Sequence, residues 1–355
     1  MTNLPFAVLD HIPDSVILVD ERRRIVAANR AAEELLGNPR IGQDLAMSIR
    51  HPDILSAVDS AMQGDQPRDL ETTLPGTPPR SIAVHAEWLD HDPSGLGITA
   101  VIVITDITAS KRSEQMRADF VANASHELRS PLSAIIGFLE TLAESAKEDA
   151  EARARFIEIM LRESRRMTRL IDDLLSLSRV EINEHVRPTG YVNIEVIVNQ
   201  VTETLAGKAA DRGIRFKAVV PAGLPRIIGD EEQLLQVLHN LVDNAIKYAN
   251  PGSRIEIEAQ SVNRVPGRTS PGISIAVSDE SDGIPPDVIP RLTERFFRVD
   301  EARSRQLGST GLGLAICKHI INRHRGHLTI DSTKGKGSTF TVFLPSQPAE
   351  TARAE

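Results

Sequence analysis

The strongest constraint on how this chain can fold is a change of hydrophobic period near Lys111. Beyond it, Val121, Leu128, Leu132, Ile135, Leu139 and Leu142 recur in steps of seven, four, three, four and three. After the polar stretch AESAKEDAEAR, the series Phe156, Met160, Glu163, Met167, Leu170, Leu174 and Leu177 alternates four and three. Such spacing lines apolar side chains along one stripe of an α-helix. Two stripes joined by a short polar turn predict an antiparallel helical hairpin. One hairpin leaves its stripe in water, whereas two bury it as a four-helix bundle, so the pattern predicts a homodimer. Glu163 interrupts the stripe.

Both flanks read differently. SVILVDERRRIVAANRAAEELLG predicts a strand, a charged turn, a second strand and a helix ending at Gly37. LPGTPPR, from Leu74 to Arg80, is a turn or loop, and RSIAVHAEWLD and ITAVIVITDIT after it are later strands. That order predicts an α+β domain with helices on one antiparallel sheet. On the far side, EEQLLQVLHNLVDNAIKYA and GLGLAICKHIINRH are helices, SRIEIEAQS and GISIAVSDE are strands, and HLTIDSTKGKGSTFTVFLP is a hairpin. The expected organisation is an α+β domain over 1–110, the helical hairpin over 111–185, an α/β domain over 190–346 and a disordered tail over 347–355.

Composition excludes several classes. The formal net charge of −8 gives no general attraction to nucleic acid, so no direct binding to it is expected. Cys317 is the single cysteine, which rules out intrachain disulfides and cysteine-based zinc sites. No apolar run reaches the roughly 20 residues that span a bilayer, and the start MTNLPFAVLDHIPDSV lacks signal-peptide features. As given the chain reads as cytoplasmic, or as the cytosolic part of a longer inner-membrane protein with an upstream membrane segment or regulatory protein.

The α/β region carries four polar signals. Asn240, Asn244 and Lys247 fall at i, i+4 and i+7 and share a helix face. The Asn244 amide oxygen suits a magnesium ion bound to phosphates, Lys247 offers a point charge, and Tyr248 beside them could stack on a base. In SDESDGIPP, Asp279 ends a strand and Gly283 with Ile284 makes the turn; a carboxylate there can accept the exocyclic amine of adenine. ERFFR sets Phe296 and Phe297 between Arg295 and Arg298. LGSTGLGLAICKHI spaces Gly308, Gly311 and Gly313 before a helix, where backbone amides can approach phosphate oxygens. Each signal alone is more often a loop, a polar surface or a packing cluster. Four in order within one short region point to a nucleotide.

Upstream, FVANASHELRSPLSAIIGFLETL presents His126, Glu127 and Ser130 just before Pro131. A His-Glu pair on a helix is usually solvated surface, and an interior proline is usually a kink. A neutral imidazole is also a nucleophile near pH 7, and a neighbouring carboxylate can take its second proton. Consecutive helix positions project about 100° apart, so Glu127 needs a suitable rotamer to reach the ring.

The four signals together resemble the ATPase fold shared by gyrase, Hsp90-type chaperones and histidine kinases. The resemblance implies an N box at Asn240, Asn244 and Lys247, a first glycine box at Asp279 and Gly283, and an F box at Phe296, Phe297 and Arg298. It implies a second glycine box at Gly308, Thr310, Gly311, Leu312 and Gly313, and a final turn from Gly335 to Ser338. Ser281 and Ser309 stand where the family usually has glycine. Hydrolytic members carry a water-activating glutamate one turn before the metal asparagine; here that residue is Asn240, which cannot act as a base. SHELRSPL followed by a heptad stripe resembles the H box of sensor histidine kinases, and the opening IPDSVILVD…RIVAANRAAEELLG with the closing VIVITDIT resembles a PAS domain. Among subfamilies, the phosphate-regulon sensor kinases are most similar. The resemblance implies ATP and Mg2+ as ligands, His126 as phosphoacceptor, Glu127 as its acid/base partner and a response regulator as recipient. It also gives Ser130, where many relatives carry threonine, a part in dephosphorylating that regulator.

Two other readings bear on the same residues: a conformational ATPase of the chaperone or gyrase type, and a kinase-silent PAS scaffold with the site weakened by Ser281 and Ser309. No cysteine lies in residues 1–110, which excludes cysteinyl-flavin chemistry there. His11, His51, His85 and His91 are isolated, and no fixed PAS cofactor is expected.

Overall fold

The computed structural model describes residues 8–37, 39–64, 68–92, 95–144, 149–300, 303 and 307–346. The tail expected over 347–355 lies outside the described residues. The chain divides into two compact units, Met1–Ala122 and Asn123–Glu355.

The first unit is built on strands β1 (Ser15–Asp20), β2 (Ile25–Ala28), β3 (Arg68–Leu74), β4 (Arg80–Trp88) and β5 (Ile98–Asp106). They form one antiparallel sheet in the order β2-β1-β5-β4-β3. Helices α1 (Arg30–Leu36) and α2 (Pro52–Met62) pack on it and close a core of Ile17, Ile25, Leu45, Ile54, Ile82 and Ile102, all fully buried. Asn29 organises the entry to α1: its carboxamide oxygen accepts from the amides of Val16 and Ala32, and its nitrogen donates to the carbonyls of Leu9 and Asp14. This N-cap is buried yet fully bonded, so it carries no desolvation debt. The sequence reading has no strand at β3. RDLETTL lies at the sheet edge with mostly exposed side chains, so it lacks the apolar alternation that marks a core strand.

Helix α3 (Thr108–Ala143) runs through Pro131 without ending, and α4 (Ala150–Ile182) follows, its start capped by Asp149. Phe138 and Phe156 stack across the hairpin with ring centroids 5.1 Å apart. On α4 the predicted stripe turns inward, with Leu170 and Leu177 buried and Phe156, Met160, Met167 and Leu174 half-buried, whereas Val121, Leu132 and Leu139 of the α3 stripe are exposed. A further apolar row outside the predicted stripe, Ile136 on α3 and Ile157, Leu161, Ile171 and Leu175 on α4, is exposed as well.

The α/β region consists of β6 (Tyr191–Val192), α5 (Ile194–Ala210), β7 (Arg215–Val219), β8 (Ile227–Ile228), α6 (Glu231–Tyr248), β9 (Arg254–Val262), β10 (Gly272–Asp279), α7 (Gly313–Arg323), β11 (His327–Thr333) and β12 (Gly337–Pro345). The main sheet runs β11-β12-β10-β9-β7, with only β7 and β9 parallel. Alternating burial along β12 and β9 shows one face covered by α5, α6 and α7. Helix α6 is fixed at both ends. Asp230 caps its start, and the buried His324 ring accepts the Asp230 amide while bonding Ile320. At the other end the Arg212 guanidinium donates to the carbonyls of Ile246, Lys247 and Ala249, where the helix leaves acceptors unpaired.

Candidate nucleotide site and phosphoacceptor

Pinning α6 matters because the N-box face opens on a cavity of about 570 Å³. Asn240, Asn244, Lys247 and Tyr248 line it from α6, and Asp279, Gly283 and Ile284 line it from the end of β10. Phe297 and Arg298 close one wall, and Gly308, Thr310, Gly311 and Gly313 another. Ser338 lies at the foot of β12, where its amide donates to Asp279. Leu312 does not line the cavity; it is fully buried at the N-cap of α7, anchoring the loop instead.

Local geometry explains the glycines. Gly311 has φ +77°, and a Cβ on it would lie 2.9 Å from the Phe296 backbone, whose amide bonds the Gly311 carbonyl at 2.8 Å. Phe296 itself has φ +64° and stays out of the cavity, so the F box and the glycine loop shape each other. The family departures are accommodated. Ser309 accepts from the Tyr248 hydroxyl at 3.4 Å, and Ser281 accepts from the Gly283 amide at 3.3 Å. Burial raises the Asp279 carboxyl above its ordinary range, against the pull of hydrogen bonds from Ser281 and the Ser338 amide.

The cavity's charges are largely paired. Burial would raise Asp243, but Lys247 at 2.8 Å and Lys208 outweigh it and hold the carboxyl below its usual value. Arg303 reaches Asp282 at 3.0 Å. The Asn244 side chain has no hydrogen-bond partner among the described residues and faces the cavity, as an oxygen ligand for a hard cation would.

Helix α4 forms part of the same site, which sequence reasoning missed. Arg169, Asp172 and Asp173 line the cavity, and the Thr310 hydroxyl donates to Asp173 at 2.6 Å. Burial raises the Asp173 carboxyl. Further along, Arg295 bonds Glu181 at 2.6 Å, while Glu184 takes bonds from His319 and Asn322. The only sequence signal was a charged run, RRMTRLIDD, flanking a buried leucine.

The presented histidine stands apart. His126 is exposed and does not line the cavity, and neither does Ser130. Glu127 was expected to serve the neighbouring ring; here its carboxylate is occupied by arginines. Arg298 grips both oxygens at 3.1 and 2.9 Å, and Arg166 adds a bond at 2.9 Å. Arg298 is only 5% exposed and also holds the Thr310 carbonyl, so one guanidinium joins the H-box helix, the F box and the glycine loop.

Comparison with known proteins places these features. Residues 6–66 match the PAS domain model, 116–182 the His Kinase A (phospho-acceptor) domain, and 229–348 the histidine kinase-, DNA gyrase B- and HSP90-like ATPase. The phosphate regulon sensor protein PhoR of Pseudomonas aeruginosa is 35% identical over 98% of this chain and 77% of its own. The sensor-like histidine kinase SenX3 of Mycolicibacterium smegmatis is 35% identical over 96% of this chain and 86% of its own. The structure of histidine kinase ThkA with response regulator protein TrrA aligns over 99% of this chain and all of that one, at 20% identity and a TM-score of 0.48. No helix among the described residues is long and apolar enough to cross a membrane. With PAS, phosphoacceptor and ATPase regions in this order, and relatives matched over most of their length, the chain belongs to the sensor histidine kinases of two-component systems.

Proposed function

We propose that this protein transfers the γ-phosphoryl group of ATP to His126 and from there to an aspartate of a cognate response regulator. The observation that carries this is one cavity uniting the N box, both glycine boxes and the F box, joined through Arg298 to the residue beside His126. Asp279 and Ser338 sit at the adenine end, and the glycine loop with the α7 N-terminus sits at the phosphate end. Asn244 would hold Mg2+, which when bound would neutralise charge on the phosphates. Asn240 lacks a basic carboxylate, so water is not activated and the phosphoryl group is kept for the imidazole.

In the transfer, a neutral ring nitrogen of His126 forms the new bond to phosphorus as the bond to the ADP oxygen breaks. Glu127 takes or stabilises the proton on the second nitrogen. For that, the carboxylate must exchange Arg298 and Arg166 for the imidazole, so the α/β region shifts along the hairpin before transfer. Ser130, exposed one turn beyond His126, is placed to orient water on a bound phospho-regulator. The exposed leucines and isoleucines of α3 and α4 form the homodimer face.

The test uses γ-labelled ATP. His126→Ala binds ATP with wild-type affinity and takes up no acid-labile label. Labelling of this variant at the wild-type level would remove His126 from the mechanism, and steady hydrolysis without a phosphoenzyme would favour the conformational ATPase.

A further inference from the structure

The nucleotide cavity needs positive charge for a polyphosphate, and among the described residues four lysine or arginine side chains line it. Three are engaged: Lys247 with Asp243, Arg298 with Glu127, and Arg303 with Asp282. The fourth is Arg169, which comes from α4 of the hairpin rather than from the α/β region. Among the described residues its guanidinium donates only to the Arg165 carbonyl, at a weak 3.4 Å. It lies against the glycine loop: a Cβ built on Gly308 would be 3.0 Å from one terminal nitrogen of Arg169 and 3.4 Å from the other. One turn along α4, Asp173 holds Thr310 of the same loop at 2.6 Å, which fixes the loop relative to the helix that carries Arg169.

We propose that Arg169 binds the terminal phosphate of the nucleotide, so that the hairpin reads whether the α/β region holds a triphosphate or a diphosphate. The inference rests on the ATP reading above. Gly313 opens α7, and Gly308 lies five residues earlier, against Arg169; in this reading the α7 N-terminus would take the phosphates nearer the nucleoside and leave the distal one to Gly308 and Arg169. Among the described residues the Arg169 guanidinium has no carboxylate within ion-pair distance and only a longer-range attraction to Asp173, so it loses little on engaging phosphate and gains charge-assisted, directional bonds. ATP then strengthens the grip of the α/β region on α4, and loss of the γ-phosphate weakens it. By linkage, docking on α4 raises affinity for ATP relative to ADP.

Titration calorimetry of the full chain with Mg2+ and either a non-hydrolysable ATP analogue or ADP tests this. Arg169→Gln should weaken the ATP analogue about tenfold or more and leave ADP within about twofold, since a hydrogen bond to a charged group is of that size. Arg169→Lys should recover part of the loss, and the ligand-free melting temperature should match the wild type. Equal weakening of both nucleotides, or of neither, would overturn the role of Arg169 alone. If the wild type bound neither nucleotide, the ATP reading itself would fall.

Discussion

At the residue scale, the site is held by groups whose burial is offset one by one. His324 is the clearest case. Burial lowers its pKa, partly opposed by its bond to the Ile320 carbonyl, and the neutral ring accepts the amide that opens α6. A histidine whose folded pKa lies below its unfolded value stabilises the fold fully above that unfolded value, about 6.5. The contribution is lost as pH falls below it toward the folded pKa, because the unfolded chain takes up the proton first. Urea unfolding should therefore show wild-type stability dropping from pH 7.5 to 5.5 by more than it does in His324→Leu. Parallel curves for the two proteins would show that the ring is not the acid-sensitive group. Asn29, Gly311 and Asp279 follow the same logic. Each looks unfavourable in isolation and is compensated by a specific neighbour. Such compensation was partly legible. GSTGLGL announces a loop that needs glycine, but that Gly311 must clear the backbone of Phe296 depends on two segments meeting.

At the element scale, α4 has two jobs, one core of the hairpin and one wall of the nucleotide cavity. Its four-and-three repeat predicted the first. The second comes from the polar face, and polar faces on helices usually mean only solvent. Here Arg169, Asp173 and Glu181 on the helix, with Glu184 just past its end, meet the glycine loop, the F box and α7 in turn. Glu184 illustrates the balance: burial would raise its pKa, yet bonds from His319 and Asn322 outweigh it and hold it low. Replacing Glu184 by Ala should cost about 1–2 kcal/mol of unfolding free energy, the scale of lost bonds to a charged acceptor. Denaturant curves superimposing on wild type would show that this end of α4 contributes nothing to docking. β3 marks the opposite limit, an edge strand held by pairing with β4 that has little sequence signal of its own.

At the scale of the whole molecule, the hairpin's exposed face is the unfinished surface. Leu132, Ile136, Leu139, Leu161 and Leu175 are each about half exposed, at intervals that keep them along the helices. Fully burying a leucine or isoleucine side chain is worth roughly 1.5–3 kcal/mol, so completing the burial of each half-exposed one contributes about half of that, and a second copy presenting the same face completes several at once. Light scattering should give twice the chain mass of 38.9 kDa for wild type. Ile136→Glu with Leu161→Glu should reduce it to the monomer; a wild-type mass equal to one chain would exclude dimerisation through this face. The sequence by itself determined the succession of α+β sheet, hairpin and α/β sheet, because hydrophobic period depends on local neighbours alone. It also laid out a glycine-rich loop and a polar helix face, since backbone approach demands glycine and a helix face demands fixed spacing, while their reading as nucleotide motifs rested on family resemblance. Only the tertiary structure decided that Glu127 faces Arg298 rather than His126, and that Arg169 faces the glycine loop. Those pairings join residues 171 and 139 positions apart, and no local rule constrains what a long charged side chain meets at that separation.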